Sequence, residues 1–176
     1  MANVNGQKAN AAAIVVLCVA ILLIVGALGW VIVSSKTTEL ANANACSNLG
    51  LSQGGASGAA GTIYKYAVIT NNGDTDCTLT GFPAVFMQDS SGMQVGTGAE
   101  ANSLYSPQSV TIAAGQQAHT VVAFPQYGNF PEGSCSGLGS SMKIYLPGVA
   151  DPLTTDWPDY RCPGFSATAI MPGAEE

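Results

Sequence analysis

Thr62-Ile63-Tyr64-Lys65-Tyr66-Ala67-Val68-Ile69-Thr70 runs directly into Asn71-Asn72-Gly73-Asp74. Nine β-branched, aromatic or alternating residues followed by a cluster that tolerates positive φ describe a strand closed by a turn, with no trace of a 3.6-residue period. Lys65 sets the parity: if it faces water, Tyr64, Tyr66 and Val68 face the core. Further β-prone runs follow at Ala84–Gln88, Gln94–Val95, Val110–Ile112, Ala118–Phe124, Met142–Leu146 and Phe165–Met171. Asp89-Ser90-Ser91-Gly92 and Ala113-Ala114-Gly115 punctuate them as turns. Met142, Ile144 and Leu146 form the expected inward set of their strand. Seven short strands with closely spaced turns predict an all-β domain, an antiparallel β-sandwich of immunoglobulin-like type.

Upstream the chemistry changes. Ala11 to Val33 is a run of twenty-three residues without charge or proline. As a helix it would be roughly 34 Å long, enough to cross a bilayer, and it exceeds the usual signal-peptide core. The expected organisation is a cytoplasmic tail over 1–10, a single transmembrane helix over 11–33, a linker over 34–45 and an extracytoplasmic domain over 46–172. The Ala-, Asn-, Ser- and Gly-rich stretch from Ser34 to Gly61 reads mostly as a tether, since it can bury little apolar surface.

Only 9% of the 176 residues are charged, and residues 46–176 hold ten acids against three bases. A net charge near −7 there repels a phosphate backbone, so nucleic acid is excluded as a partner. Positive charge on the two flanks of the apolar segment is balanced and does not orient it. Cysteine does: Cys46, Cys77, Cys135 and Cys162 all lie beyond the segment, without metal-ligand spacing, and read as two disulfides in an oxidising compartment. The domain is therefore expected outside. Antiparallel pairing would bring Cys46 and Cys77 to the same end of a sheet, and Cys135 and Cys162 bracket the Met142–Leu146 strand and a long loop, so these are the expected pairs, although four cysteines allow three connectivities.

Gly133-Ser134-Cys135-Ser136-Gly137 has the spacing of a hydrolase nucleophile elbow. That elbow needs a strand-to-helix turn of an α/β sheet and a free nucleophile, neither of which this sequence predicts, so no catalytic residue is assigned. No cofactor is expected. Asp74-Thr75-Asp76 lacks the other acids of a calcium loop and reads as a solvated turn. His119 with Met87, Met93, Met142 or Met171 has the donor chemistry of a copper(I) carrier, but no two of them show tight ligand spacing, so they read as a strand histidine and scattered core or surface methionines and no metal ligand is assigned. Two Pro-flanked aromatic segments, Pro125–Pro131 and Leu153–Arg161, read as loops. They supply the candidate contact residues Tyr127, Phe130, Trp157, Tyr160 and Arg161 for an envelope protein or polymer, while Trp157 or Phe130 could equally plug an open end of the sandwich.

The order of Cys46, Gly58-Ala59-Ala60-Gly61-Thr62, Thr70-Asn71-Asn72-Gly73, Cys77-Thr78-Leu79-Thr80-Gly81-Phe82-Pro83, Val110–Gly115, Cys135 and Cys162-Pro163-Gly164 resembles domain of unknown function forty-two thirty-two. This is an envelope domain of actinobacterial lipoproteins and membrane-anchored proteins, and the similarity spans about residues 46 to 172. It implies an extracytoplasmic, disulfide-bonded, immunoglobulin-like domain and carries over no catalytic residues. The chain departs from many relatives in having a long anchor where they have a lipobox. The expected function is a membrane-anchored, non-enzymatic binding or scaffolding module; the competing expectations are an accessory subunit of a larger membrane complex and a copper carrier.

Overall fold

Residues 46–174 are described in a computed structural model of the chain. The apolar segment 11–33, the tail before it and the linker 34–45 lie outside the described residues. No helix among the described residues is long and apolar enough to cross a membrane.

The stretch from Thr62 is a strand, β2 (Thr62–Asn71). It pairs antiparallel on one side with β1 (Leu49–Ala59) and on the other with β8 (Gln117–Pro125). Beyond β8 the sheet continues through β11 (Ser166–Ala167) to β6 (Glu100–Ala101), and β12 (Met171–Pro172) also pairs with β8. A second sheet has the order β10 (Leu153–Tyr160), β9 (Leu138–Tyr145), β4 (Ala84–Gln88), β5 (Gln94–Val95). A two-stranded ribbon joins β3 (Cys77–Thr80) to β7 (Ser109–Ile112). The result is an all-β, sandwich-like arrangement with both disulfides formed, Cys46 to Cys77 and Cys135 to Cys162. One pairing is not antiparallel: Ser166 and Ala167 run parallel to Glu100 and Ala101.

The core lies between the sheets. Val122 and Phe124 of β8 meet Val85 and Met87 of β4, Met142 and Ile144 of β9 and Trp157 of β10. Met142, Ile144 and Leu146 are buried as expected. The parity expected for β2 is reversed. Ala67 and Ile69 belong to the core, opposite Thr120 and Ala118, while Tyr64, Tyr66 and Val68 lie on the other face opposite Ala123, Val121 and His119. Lys65 shares the inward parity because its alkyl stem can cover apolar surface while its head reaches an edge. Its Nζ sits 5.3 Å from the Phe124 ring centroid and 5.9 Å from that of Trp157, and 2.8 Å from Asp159 Oδ2.

Two other expectations are corrected. Leu49–Ala59, read as tether, is a strand along its whole length, with a register shift between Gln53 and Ala56 at the Gly54-Gly55 pair. Leu49 and Leu51 supply its few core contacts, and Gln53 Nε2 donates to the Asp156 carbonyl of the opposite sheet. The remaining stabilisation comes from the ladder to β2, which needs no particular side chains. Leu153–Tyr160, read as loop, is strand β10; its register shifts between Asp156 and Asp159, around Trp157-Pro158. A bulge is where a strand tolerates a proline, and the irregularity accompanies an inward-facing Trp157.

The turns follow their residue chemistry. The β1–β2 connection is Ala60-Gly61, both at positive φ, +49° and +77°. At the next turn Asn71 is buried; its Nδ2 donates to the carbonyls of Thr75 and Ile112, and its Oδ1 accepts from the Gly73 amide. Between β4 and β5, Asp89 Oδ1 accepts from the Ser91 amide and hydroxyl and from the Met93 amide. These bonds, the Ser91 hydroxyl foremost, hold the Asp89 carboxyl below its ordinary value.

Candidate functional site

Of the five residues expected to contact a partner, the structure brings two together at the surface. Tyr127 opens a short 3-10 turn, Tyr127–Asn129, after β8, and Tyr160 ends β10. Their rings stack with centroids 4.5 Å apart and planes 30° from parallel, and they remain 44% and 38% exposed. Leu138, directly across the ladder from Tyr160, is also exposed. The supports of this patch are rigid. Asn129 Nδ2 donates to the Gly61 carbonyl and pins the turn to the tip of the first hairpin, while Tyr160 is two residues from the Cys162 disulfide. Phe130 is half-buried beside them.

Trp157 and Arg161 are placed otherwise. Trp157 is fully buried in the core, its ring stacked 6.3 Å from Phe124, and it presents no surface to a partner. Arg161 is buried as well and works as a brace. Its Nε donates to the Thr97 carbonyl, Nη2 to Thr97 Oγ1, and Nη1 to the Cys162 carbonyl. Its guanidinium lies 4.9 Å from the Phe165 ring centroid. Burial lowers its pKa and the nearby Glu100 carboxylate opposes that shift. Cys135, the residue at the centre of the elbow-like motif, is held in a disulfide, and a sulfur so bonded is not a nucleophile.

A second concave feature was not visible in the sequence. The outer face of β2 and β8, carrying Tyr64, Tyr66, His119 and Val121, lies beneath the segment Asn102–Gln108. This encloses an open cavity of about 670 Å³ and an adjoining one of about 380 Å³, which share Tyr66, Leu104, Tyr105 and Val121. Among the described residues, no charged side chain lines either cavity. The reversed parity of β2 is the cause: the tyrosines that would have filled the core line a groove instead. His119 stands at its floor, 4% exposed, with the Tyr66 ring edge-on at 5.3 Å.

Of the methionines considered with His119, Met87 and Met142 are in the core and Met93 is exposed near the β4–β5 turn. Met171 is the exception, since it pairs directly with His119 across β12 and β8 and lines the same cavity. Among the described residues no group of three or more His, Cys, Asp or Glu converges.

The fold and its bonds define a class: a small all-β, sandwich-like domain closed by two disulfides. Within that class the chain belongs to the family described as domain of unknown function DUF4232, whose sequence profile matches residues 45–170. No curated protein and no solved structure matches the chain.

Proposed function

We propose that this protein is a membrane-anchored, extracytoplasmic binding or scaffolding module, non-enzymatic, with an immunoglobulin-like sandwich held to the bilayer by residues 11–33. The observation that carries the binding role is the exposed Tyr127–Tyr160 stack. Two large aromatic rings held on a braced surface offer apolar area at low conformational cost, the character of a contact hot spot. With Leu138 beside them they suit an envelope protein or a polymer with apolar faces. The two disulfides support an oxidising compartment, and the apolar length of 11–33 supports an uncleaved anchor.

The experiment joins topology to binding. On intact cells a membrane-impermeant label should react with Lys143 of the full chain, which lies in β9; a protected domain would overturn the external placement. Tyr127→Ser with Tyr160→Ser should then lower retention of the purified chain on isolated cell envelopes by about tenfold or more, as loss of two hot-spot residues does. Retention equal to that of the unaltered chain would overturn the assigned surface.

A further inference from the structure

We infer that His119 and Met171 form a binding site for a soft monovalent metal ion, copper(I) in chemical class, at the floor of the groove on the outer sheet face. The two residues are 52 apart in the chain, and the pairing of β12 with β8 sets them directly opposite each other. Cross-strand partners have Cβ atoms about 5 Å apart on one face, close enough for an imidazole and a thioether to share an ion. Both side chains line the cavity of about 670 Å³.

The imidazole is prepared for this role. Its Nδ1 lies 2.8 Å from the Gly173 carbonyl oxygen. A carbonyl only accepts, so Nδ1 carries a proton, and in the neutral imidazole the lone pair is then on Nε2. A backbone carbonyl on one ring nitrogen is the usual means by which proteins orient a histidine to coordinate through the other. The Tyr66 ring, edge-on at 5.3 Å, restricts the imidazole further.

The surroundings select the ion. Thioether sulfur and imidazole nitrogen are suitable ligands for copper(I), which accepts few donors, whereas zinc and calcium sites draw on thiolates, carboxylates or several histidines. Among the described residues no such cluster exists, and no carboxylate lines the cavity. Burying an ion without an anionic ligand costs far more for a divalent than for a monovalent charge, because the solvation penalty rises with the square of charge. The net negative charge of residues 46–176 raises the local concentration of cations without entering the site. Binding involves no electron transfer: neutral Nε2 and Sδ each donate a lone pair to an ion that arrives and leaves as copper(I).

The site stands independently of the Tyr127–Tyr160 surface. The test uses the full chain in detergent, with Cys18→Ser to remove the thiol outside the disulfides and without reductant. Silver(I), a redox-inert ion of the same softness, is the first probe, and anaerobic copper(I) in acetonitrile the second. Because His119 is the only histidine of the chain, its two ring nitrogens give one unambiguous pair of NMR signals. One equivalent of silver(I) should shift Nε2 and leave Nδ1 protonated. Met171→Leu should weaken both ions by at least tenfold, while Met93→Leu, exposed elsewhere, should bind as the parent does. His119→Gln should abolish binding; should that variant unfold, Met171→Leu alone decides. An unmoved Nε2 at one equivalent, or equal affinity of Met171→Leu and Met93→Leu, overturns the site.

Discussion

Replacing Trp157 separates a core residue from a contact residue. Its side chain is wholly inaccessible, and a tryptophan hides about 200 Å² of largely apolar surface. At about 25 cal/mol per Å² that corresponds to about 5 kcal/mol, reduced to about 3 to 4 because an unfolded chain already shelters part of its surface. One opposing effect is specific to this site. Trp157 Nε1 is buried without a hydrogen-bond partner among the described residues, and an orphaned donor costs about 1 to 3 kcal/mol. Trp157→Ala removes packing and orphan together but also opens a cavity, whose cost adds to the lost transfer energy, and should destabilise the domain by about 2 to 4 kcal/mol. Trp157→Phe keeps a ring against Phe124 and sheds the orphan, so it should fall within about 1 kcal/mol of the parent. Tyr160→Ala, at the exposed stack, should cost under about 1 kcal/mol. Urea unfolding of residues 44–176 followed by far-ultraviolet circular dichroism reads all three, because the tryptophan signal itself is lost in two of them. A Trp157→Ala cost below that of Tyr160→Ala would refute the assignment of roles, and a Trp157→Phe cost equal to that of Trp157→Ala would refute the account of the indole nitrogen.

Ala60 sits at φ +49° in the first hairpin turn, a conformation costing alanine about 1 kcal/mol; Ala60→Asn should raise the melting temperature by about 3 to 5 °C in a thermal scan. Cys135→Ser with Cys162→Ser opens a bridge between residues 27 apart and should lower stability by about 3.5 kcal/mol in denaturant titration, provided Cys46–Cys77 stays intact. Asn71→Leu leaves the Thr75 and Ile112 carbonyls without their side-chain donor and should cost about 2 to 4 kcal/mol by the same titration. Asp89 titrates lower in the folded than in the unfolded chain, so its contribution to stability is complete above the ordinary carboxyl value of 3.8 and is lost as pH falls through the lower folded value. A carbon-13 titration of the Asp89 carboxyl with a midpoint at or above 3.8 would contradict its bonds from Ser91 and Met93.

Where side chains alone dictate structure, the sequence was legible. The strands at Thr62, Ala84 and Ala118 and the Asx-type turns at Asn71 and Asp89 follow from local composition and spacing; the four cysteines announce two bridges, and the structure has the expected pairing among the three connectivities they allow. Legibility failed where the backbone supplies the stability. Leu49–Ala59 has the residues of a tether and becomes a strand because β2 offers a free edge whose hydrogen bonds it completes. Leu153–Tyr160 carries a proline, and only the bulge at Trp157-Pro158 reconciles it with a ladder. The inverted parity of β2 is hidden for a different reason, since a lysine in an alternating strand ordinarily marks the water-facing side. Lys65 instead has its head over Phe124 and Trp157 and reaches Asp159, so it is accommodated on the inward face with Ala67 and Ile69 while Tyr64, Tyr66 and Val68 take the other.

That inversion is also what makes a site. Had Tyr64 and Tyr66 packed inward, their bulk would fill the space between the sheets and the outer face would carry Ile63, Lys65, Ala67 and Ile69, without the two rings that line the groove. With the tyrosines outside, they line a groove together with Leu104 and Tyr105, which are themselves 85% and 52% exposed, and the histidine that alternation on β8 places beside Tyr66 is sheltered at 4% exposure. Met171 joins it only because the chain returns to β8 after Thr168, whose Oγ1 accepts from the Val121 amide where β11 has ended and β12 has not yet begun. Thr168 is tied to Val121 through its backbone amide as well as its Oγ1, and a slip of one residue in the last strand would turn Met171 to the opposite face. Linear spacing between His119 and Met171 carries no information about this contact. The information resides in the parity of β2 and in the pairing of β8 with two short partner strands in succession, β11 and then β12.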